Sequence, residues 1–339
     1  MGSQLVLTRE QILGFRRHVG ALDERLPAGD ASLRQAAWAG LQDSMPRAAL
    51  LSIHARVEGA DPSSWEHSSL VQVWGPRYSA YVIAACDLPV FSLGRLPDDE
   101  KGRKRAEDVA SRLHALLNGT RMGSQHAGAA LGGDANRLRY GAATGTILIR
   151  WDGARRPTVW TVPAPDVDPK DAQRELARRY LHVFGPSTPI AFSVWAGISK
   201  RAGVSTFGSL EGELITARTP IGDAWLLTAD EAGMREHRGP TTGARLLPSG
   251  DAYYLLQDDD RALLVPDPAR RSELWTSRVW PGAVLLDGEI RGVWRRADAR
   301  LTIDPWGDLS RAQRDLVEVE AAALPIPGAA GRITVRWSA

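Results

Sequence analysis

Apolar positions in the first sixty residues recur at helical spacing. Ile12, Phe15 and Val19 mark a first helix opening on Thr8-Arg9-Glu10-Gln11, a capping box in which the Thr8 hydroxyl accepts from the third helical N–H and Gln11 reaches back. After the Leu26-Pro27-Ala28-Gly29-Asp30 break, Leu33, Ala37 and Leu41 predict a second helix over about 32–41. Gln42-Asp43-Ser44 interrupts the pattern. Leu50, Ile53 and Val57 then stripe a third helix starting near Pro46, since proline is accommodated in a first turn. The period next drops to two: Leu-Val-Gln-Val-Trp at 70–74, Gly75-Pro76, and 77–83 predict strand, turn, strand. Three helices followed by a hairpin is the order of a winged helix.

The order recurs twice more loosely. A helix over 103–117 and a Gly-broken helical stretch over 125–138 lead into strands at 146–151 and 158–162, with Asp152-Gly153-Ala154-Arg155-Arg156 as the turn. Beyond the Pro-rich linker 163–169, a helix over 171–183, a segment over 189–199 and a helix over 206–217 precede a short strand at 224–228. From about Arg245 short apolar runs predict strands: Leu246-Leu247-Pro248, 253–256, 262–265 and 283–286. Asp287-Gly288 is a two-residue hairpin turn, followed by a return strand through Trp294, a strand at 301–303, a helix over 310–323 and a last strand at 333–337. The expected fold class is α+β: winged-helix units at 8–95, 100–163 and 170–236, then a β-barrel-like C-terminal domain at 243–339. The three copies share element order rather than sequence.

Composition narrows the class. At 43% hydrophobic and 24% charged, the 339 residues are those of a folded globular chain rather than a disordered one. The longest apolar run, Ala80 to Cys86, is too short for a membrane span, and the first residues lack a secretory pattern. One cysteine, Cys86, excludes an internal disulfide and a cysteine-based zinc site. These features set the expectation of a cytoplasmic location. Net charge is only +2, yet four of the 42 cations are lysines, leaving 38 arginines, whose planar forks suit phosphates and flat partners. The isolated histidines, among them His114, His126, His182 and His237, form no metal spacing, and Asp258-Asp259-Asp260 reads as an acidic loop.

The run Leu41-Gln42-Asp43-Ser44-Met45-Pro46-Arg47-Ala48-Ala49-Leu50-Leu51 resembles the winged-helix DNA-binding, crosslink-repair (alkylpurine) DNA glycosylase family. Gly75-Pro76-Arg77, Arg178-Arg179-Tyr180-Leu181 with Phe184-Gly185-Pro186, and 191–197 support the resemblance. So do Leu246-Leu247-Pro248 with Asp251, and Asp287-Gly288-Glu289 with Gly292-Val293-Trp294. It implies tandem winged helices with a C-terminal barrel clasping double-stranded DNA as a monomer, away from any membrane. It further implies no metal or organic cofactor, hydrolysis of the N-glycosidic bond of bulky or crosslinked N-alkylpurines, and a Gln–apolar–Gln motif or a variant ending in Asp. Gln42 matches the first Gln; Asp43 stands where the apolar residue belongs, and Ser44 where the second Gln or Asp belongs.

A purine alkylated on nitrogen carries positive charge and leaves readily, so the protein need only stabilise an oxocarbenium-like sugar and place a water. Residues i and i+2 of an extended segment share one side, so Gln42 and Ser44 are the candidate catalytic pair, with Asp43 aimed away. A second reading stays open, in which Ser44 caps the following helix, Asp43 complements its dipole and Gln42 bonds turn backbone. The matching alternative function is a DNA-binding lesion sensor or regulator without catalysis. No lysine falls near the motif, which disfavours Schiff-base chemistry. The DNA-contact candidates are Arg47, Arg77, Arg137, Arg139, Arg150, Arg155, Arg156, Lys200 and Arg201.

Overall fold

The computed structural model describes residues 5–153, 155–236, 238–239, 241–257, 259–326 and 333–338. The capping box forms: Gln11 N–H donates to Thr8 Oγ1 at 3.2 Å and Thr8 N–H to Gln11 Oε1 at 2.9 Å, opening helix Arg9–Val19. Helices Asp30–Ala36 and Ala48–Arg56 follow, with the two-residue strand Leu41–Gln42 between them. That strand pairs antiparallel with Ala80–Ala84, which forms a hairpin with Leu70–Trp74. Helix Ala48–Arg56 is buried along its whole length, with Leu50, Ile53 and Val57 packing against Trp65, Leu70 and Val82.

A second hairpin, Ile147–Arg150 with Thr158–Thr161, meets the first through the pairing of Gln72 with Ile149. The result is a six-stranded sheet in the order 41–42, 80–84, 70–74, 147–150, 158–161, 122–123. Leu113 and Leu117 of helix Glu100–Leu117 pack on Ile147, Ile149 and Val159. Helices Pro169–Phe184, Pro189–Ala196 and Lys200–Gly208 build a third cluster around the rings of Tyr180, Phe184, Phe192 and Trp195. The helix expected over 206–217 ends at Gly208. Residues Leu214–Thr219 are instead a strand, with Leu214, Ala217 and Thr219 inward, paired with Gly222–Leu227 and with the parallel segment Leu5–Val6.

The C-terminal region departs further from its reading. Residues Ala252–Tyr254 form a single tight turn and Asp260–Leu264 a short helix, where strands were expected; a short, wholly buried apolar run carries no period that separates the two. The five strands Ala244–Leu247, Gly282–Leu286, Glu289–Ala297, Arg300–Pro305 and Thr334–Trp337 form one sheet that does not close into the expected barrel among the described residues. Helix Arg311–Ala322 packs on both edge strands, burying Val317 and Ala321 where strand pairing would complete a barrel. Asp287 (φ 51°) and Gly288 (φ 82°) do make the two-residue turn. Among the described residues no helix is long and apolar enough to cross a membrane.

One buried ion pair ties the N-terminal and C-terminal regions together. Arg56, at the end of helix Ala48–Arg56, bonds both carboxylate oxygens of Asp251 at 2.7 Å, and the two side chains are 3% and 0% exposed. Ser52 Oγ adds a bond at 2.6 Å and the Tyr253 N–H another at 2.9 Å, so the carboxylate accepts from four donors. Removing one partner of such a pair strands the other charge without water. Arg56→Met should therefore lower unfolding stability by about 3–5 kcal/mol in urea titration. Lys104→Ala, which breaks the exposed Lys104–Glu100 pair, should leave the urea midpoint almost unchanged.

Candidate functional site

Gln42 sits where the first hairpin, the elbow before helix Ala48–Arg56 and the C-terminal region converge. Its Oε1 accepts from Arg77 Nη2 at 3.0 Å and lies 3.4 Å from the Tyr81 hydroxyl. Two donors on one side fix which end of the amide is oxygen, leaving Nε2 without a protein acceptor among the described residues. Against the amide lies Gly250 (φ +77°): a Cβ there would stand 3.0 Å from Gln42 Nε2, so only glycine lets that loop pack on the side chain. Asp251, next in the chain, is the residue clamped by Arg56. The buried ion pair thus fixes the residue next to the glycine against which the Gln42 amide packs.

Asp43 faces the other way and is fully buried. Its Oδ1 accepts the Ala49 N–H at 3.0 Å and its Oδ2 accepts from Gln72 Nε2 at 2.7 Å, while Gln72 Oε1 takes the Trp151 N–H at 2.6 Å. Asp43, not Ser44, is therefore the side-chain cap of helix Ala48–Arg56, which begins two residues later than Pro46 predicts. Burial pushes the Asp43 carboxyl up to about 6 despite these donors. Ser44 is exposed and caps nothing.

Two clefts flank the elbow. One, of about 510 Å³, is lined by Ser44, Trp74, Ser79, Trp151, Arg139, Arg155 and Arg156. The other, of about 380 Å³, is lined by Met45, Pro46 and Leu51, by the 248–249 and 279–282 loops, and by Trp294, Arg295 and Arg296. Neither has a carboxylate in its wall. No metal-holding cluster of His, Cys, Asp and Glu occurs among the described residues.

Residues 36–325 match the model of the family described as DNA glycosylase AlkZ-like. The chain belongs to the AlkZ-like DNA glycosylase family. An interstrand DNA cross-link repair glycosylase of Streptomyces sahachiroi is 31% identical over 173 residues, which are 50% of this chain and 46% of that protein, so the match spans about half the length of this curated relative. The solved structure of Streptomyces sahachiroi DNA glycosylase AlkZ superposes with a TM-score of 0.79 over 98% of this chain and 100% of that one, at 20% identity. The fold is the AlkZ fold.

Within this AlkZ-like frame the expected DNA contacts divide. Arg139, Arg155 and Arg156 share the cleft with Ser44, and their guanidiniums are in no ion pair among the described residues, although the Arg155 backbone N–H donates to Asp152 Oδ1 at 3.1 Å. Arg77, expected to meet phosphate from a wing tip, points inward: Arg77 and Tyr78 take left-handed backbone conformations (φ 53° and 58°), and the guanidinium spans Gln42 Oε1 and the Trp195 carbonyl. Arg47 and Arg150 both lie over the Trp65 ring, each 4.0 Å from its centre. Arg47 also bonds the Trp151 and Asp152 carbonyls and Arg150 pairs with Glu66, so both brace the second hairpin. Arg137 is exposed and reaches the Gly132 carbonyl. Lys200 and Arg201 are exposed at the start of a helix, and Arg201 lines a separate cleft with Asp98, Asp99 and Arg103. His237 and Asp258 lie outside the described residues; Asp260 is buried, 3.6 Å from Arg16.

Tyr81, Gln72, Trp151 and Gly250 complete the site and were not singled out as functional. Each acts through a partner between 29 and about 210 positions away in sequence, which no local pattern encodes. Asp43 yields a pH test. Its native value exceeds the unfolded one, so its contribution to stability is greatest below pH 4 and falls as pH rises to about 6. Wild type should lose up to about 3 kcal/mol relative to Asp43→Asn across that interval and nothing more from pH 7 to 8. Urea titration at stepped pH reads this; a loss beginning only above pH 7 contradicts burial as the cause.

Proposed function

We propose that the chain is a monofunctional DNA glycosylase that hydrolyses the N-glycosidic bond of bulky N-alkylpurines in duplex DNA. The segments 8–95, 100–163 and 170–236 act as winged-helix units and 243–339 as their cap. The observation that carries the reading is that neither cleft flanking the 42–44 elbow is lined by a carboxylate. With Asp43 buried and turned to Ala49 and Gln72, that arrangement suits a leaving group that departs by itself, as a cationic alkylated purine does. The C1′–N bond breaks with its electron pair neutralising the base. A water oxygen then bonds C1′, and its proton goes to solvent.

Gln42 is the group assigned to that water. Arg77 occupies one lone-pair direction of Oε1; the other, shared only with Tyr81 at a long 3.4 Å, accepts a water proton. Ser44, on the cleft side, offers a short hydroxyl that can contact a differently placed water. Arg139, Arg155 and Arg156 hold phosphates and set register, as backbone contacts do. A second reading, DNA binding without catalysis, draws on Arg77 already engaging the Gln42 oxygen and on the short reach of Ser44.

Base release from duplex carrying a bulky N7-alkylguanine decides between them. Gln42→Ala should slow release by about 10²-fold, in the range of losing one positioned polar group, and Ser44→Gln should speed it. Equal release by wild type and Gln42→Ala, or none by either, removes Gln42 from catalysis. In duplex binding measured across salt concentrations, Arg155→Ala and Arg156→Ala should each reduce the slope of log K against log salt by about 0.9. Unchanged slopes would take the phosphate path away from this cleft.

A further inference from the structure

The second cleft is built differently from the first. Its walls are Met45, Pro46, Ala48 and Leu51 on one side and Val279, Trp280, Pro281 and Trp294 on the other, with Arg295 and Arg296 among its lining. Met45 and Val279 are left 36% and 57% exposed, a large apolar display for side chains next to a polar site. The cavity is preformed. The Tyr254 hydroxyl lies 2.7 Å from the Pro248 carbonyl and 2.9 Å from that of Pro281, sharing its proton between the two loops. Trp294 Nε1 donates to the Leu247 carbonyl at 2.9 Å, which locks the strand that forms the remaining wall.

Position ties this cavity to the reaction. Met45 and Pro46 directly follow Gln42-Asp43-Ser44, and Ser249 in its wall precedes Gly250, against which the Gln42 amide packs. A group attached to a base whose sugar faces Gln42 is therefore adjacent to this opening. The chemistry of the lining says which part of the lesion enters. A pocket that reads an extruded purine needs donors and acceptors for its Watson–Crick edge. Here the polar side-chain groups are the Ser249 hydroxyl, the Trp280 indole N–H and two arginines, the Trp294 N–H being taken by the Leu247 carbonyl, and no side-chain oxygen but that of Ser249 can accept. Neither Arg295 nor Arg296 has a carboxylate partner among the described residues, so both match the phosphates of a strand running past the pocket mouth.

Resting on the function proposed above, we infer that this cavity is a specificity subsite for the flat apolar substituent of the alkylated purine, with Val279 and Trp280 as its specificity-determining residues. Hydrophobic enclosure rewards an aromatic substituent and gives a methyl group almost nothing. The subsite therefore acts on discrimination between adducts and leaves release of a small adduct unaltered.

The test compares duplexes holding N7-methylguanine or N7-(naphthylmethyl)guanine, with wild type, Val279→Ser and Trp280→Ala. Val279 is exposed enough for its variant to fold, and the unmodified duplex serves as the binding control. Wild type should favour the naphthylmethyl adduct at least tenfold in kcat/KM. Both variants should lose that preference through KM, with N7-methylguanine release unchanged. Equal loss on both adducts, or an undiminished preference, overturns the subsite. Equilibrium binding to 2′-fluorinated, non-cleavable versions of both adducts separates this claim from catalysis. If wild type releases neither base yet binds the naphthylmethyl duplex more tightly in a Val279-dependent way, the subsite stands and the glycosylase reading falls. If bases are released but binding shows no such preference, the subsite alone falls.

Discussion

The contact between Arg56 and Asp251 holds the rest in place. A guanidinium and a carboxylate shut away from water remain stable only when every lone pair and proton finds a partner, and here four donors converge on one carboxylate. Helix Ala48–Arg56 is thereby fixed to the loop that ends at Gly250, and the loop in turn is fixed against Gln42. On its other side the same helix is capped by Asp43, which reaches through Gln72 to the second hairpin. The elbow bearing Gln42 and Ser44 is thus braced from both ends, with geometry set by buried polar groups rather than by the elbow's own backbone preferences.

Arginine serves two different purposes in this chain. Many guanidiniums are internal ties: Arg16 bonds the carbonyls of Phe184, Gly185 and Pro186, Arg95 those of Trp74 and Gly75, and Arg179 lies in an ion pair with Asp87. A rigid fork can satisfy several carbonyls where chain segments meet, which a lysine ammonium does less well. The arginines left facing the two clefts at the elbow are the ones that the proposed function assigns to phosphate, since neither cleft is lined by a carboxylate.

Local chemistry was legible where its period or its caps were clear. Thr8 and Gln11, the Leu70–Ala84 hairpin, the helix ending at Leu117 and the Asp287-Gly288 turn all follow from pattern and turn residues. Buried apolar runs without a period were misread, as at 253–256 and 262–265, and the stop at Gly208 was overrun. The barrel failed to close because a helix, whose register along the sheet is a tertiary matter, covers both sheet edges. At the elbow, the break at 42–44 between two helical stretches was legible, and so was the turn that carries Arg155 and Arg156. The burial of Asp43 beside Gln72 and the inward turn of Arg77 were not, since Gln72 lies on the neighbouring hairpin and is held by Trp151, and Arg77 reaches Trp195 of a later helix.

The central claim is that the elbow at residues 42–44 faces duplex DNA across the arginine-lined cleft. A disulfide-trapping measurement tests it directly, using a duplex with a thiol tether on one phosphate and a protein whose single, exposed cysteine has been replaced by Cys86→Ser. Ser44→Cys in that background should trap the duplex rapidly, with trapping suppressed by salt, whereas Val319→Cys, 70% exposed on helix Arg311–Ala322, should trap slowly. Equal trapping at both positions, or trapping at 319 alone, would contradict the account.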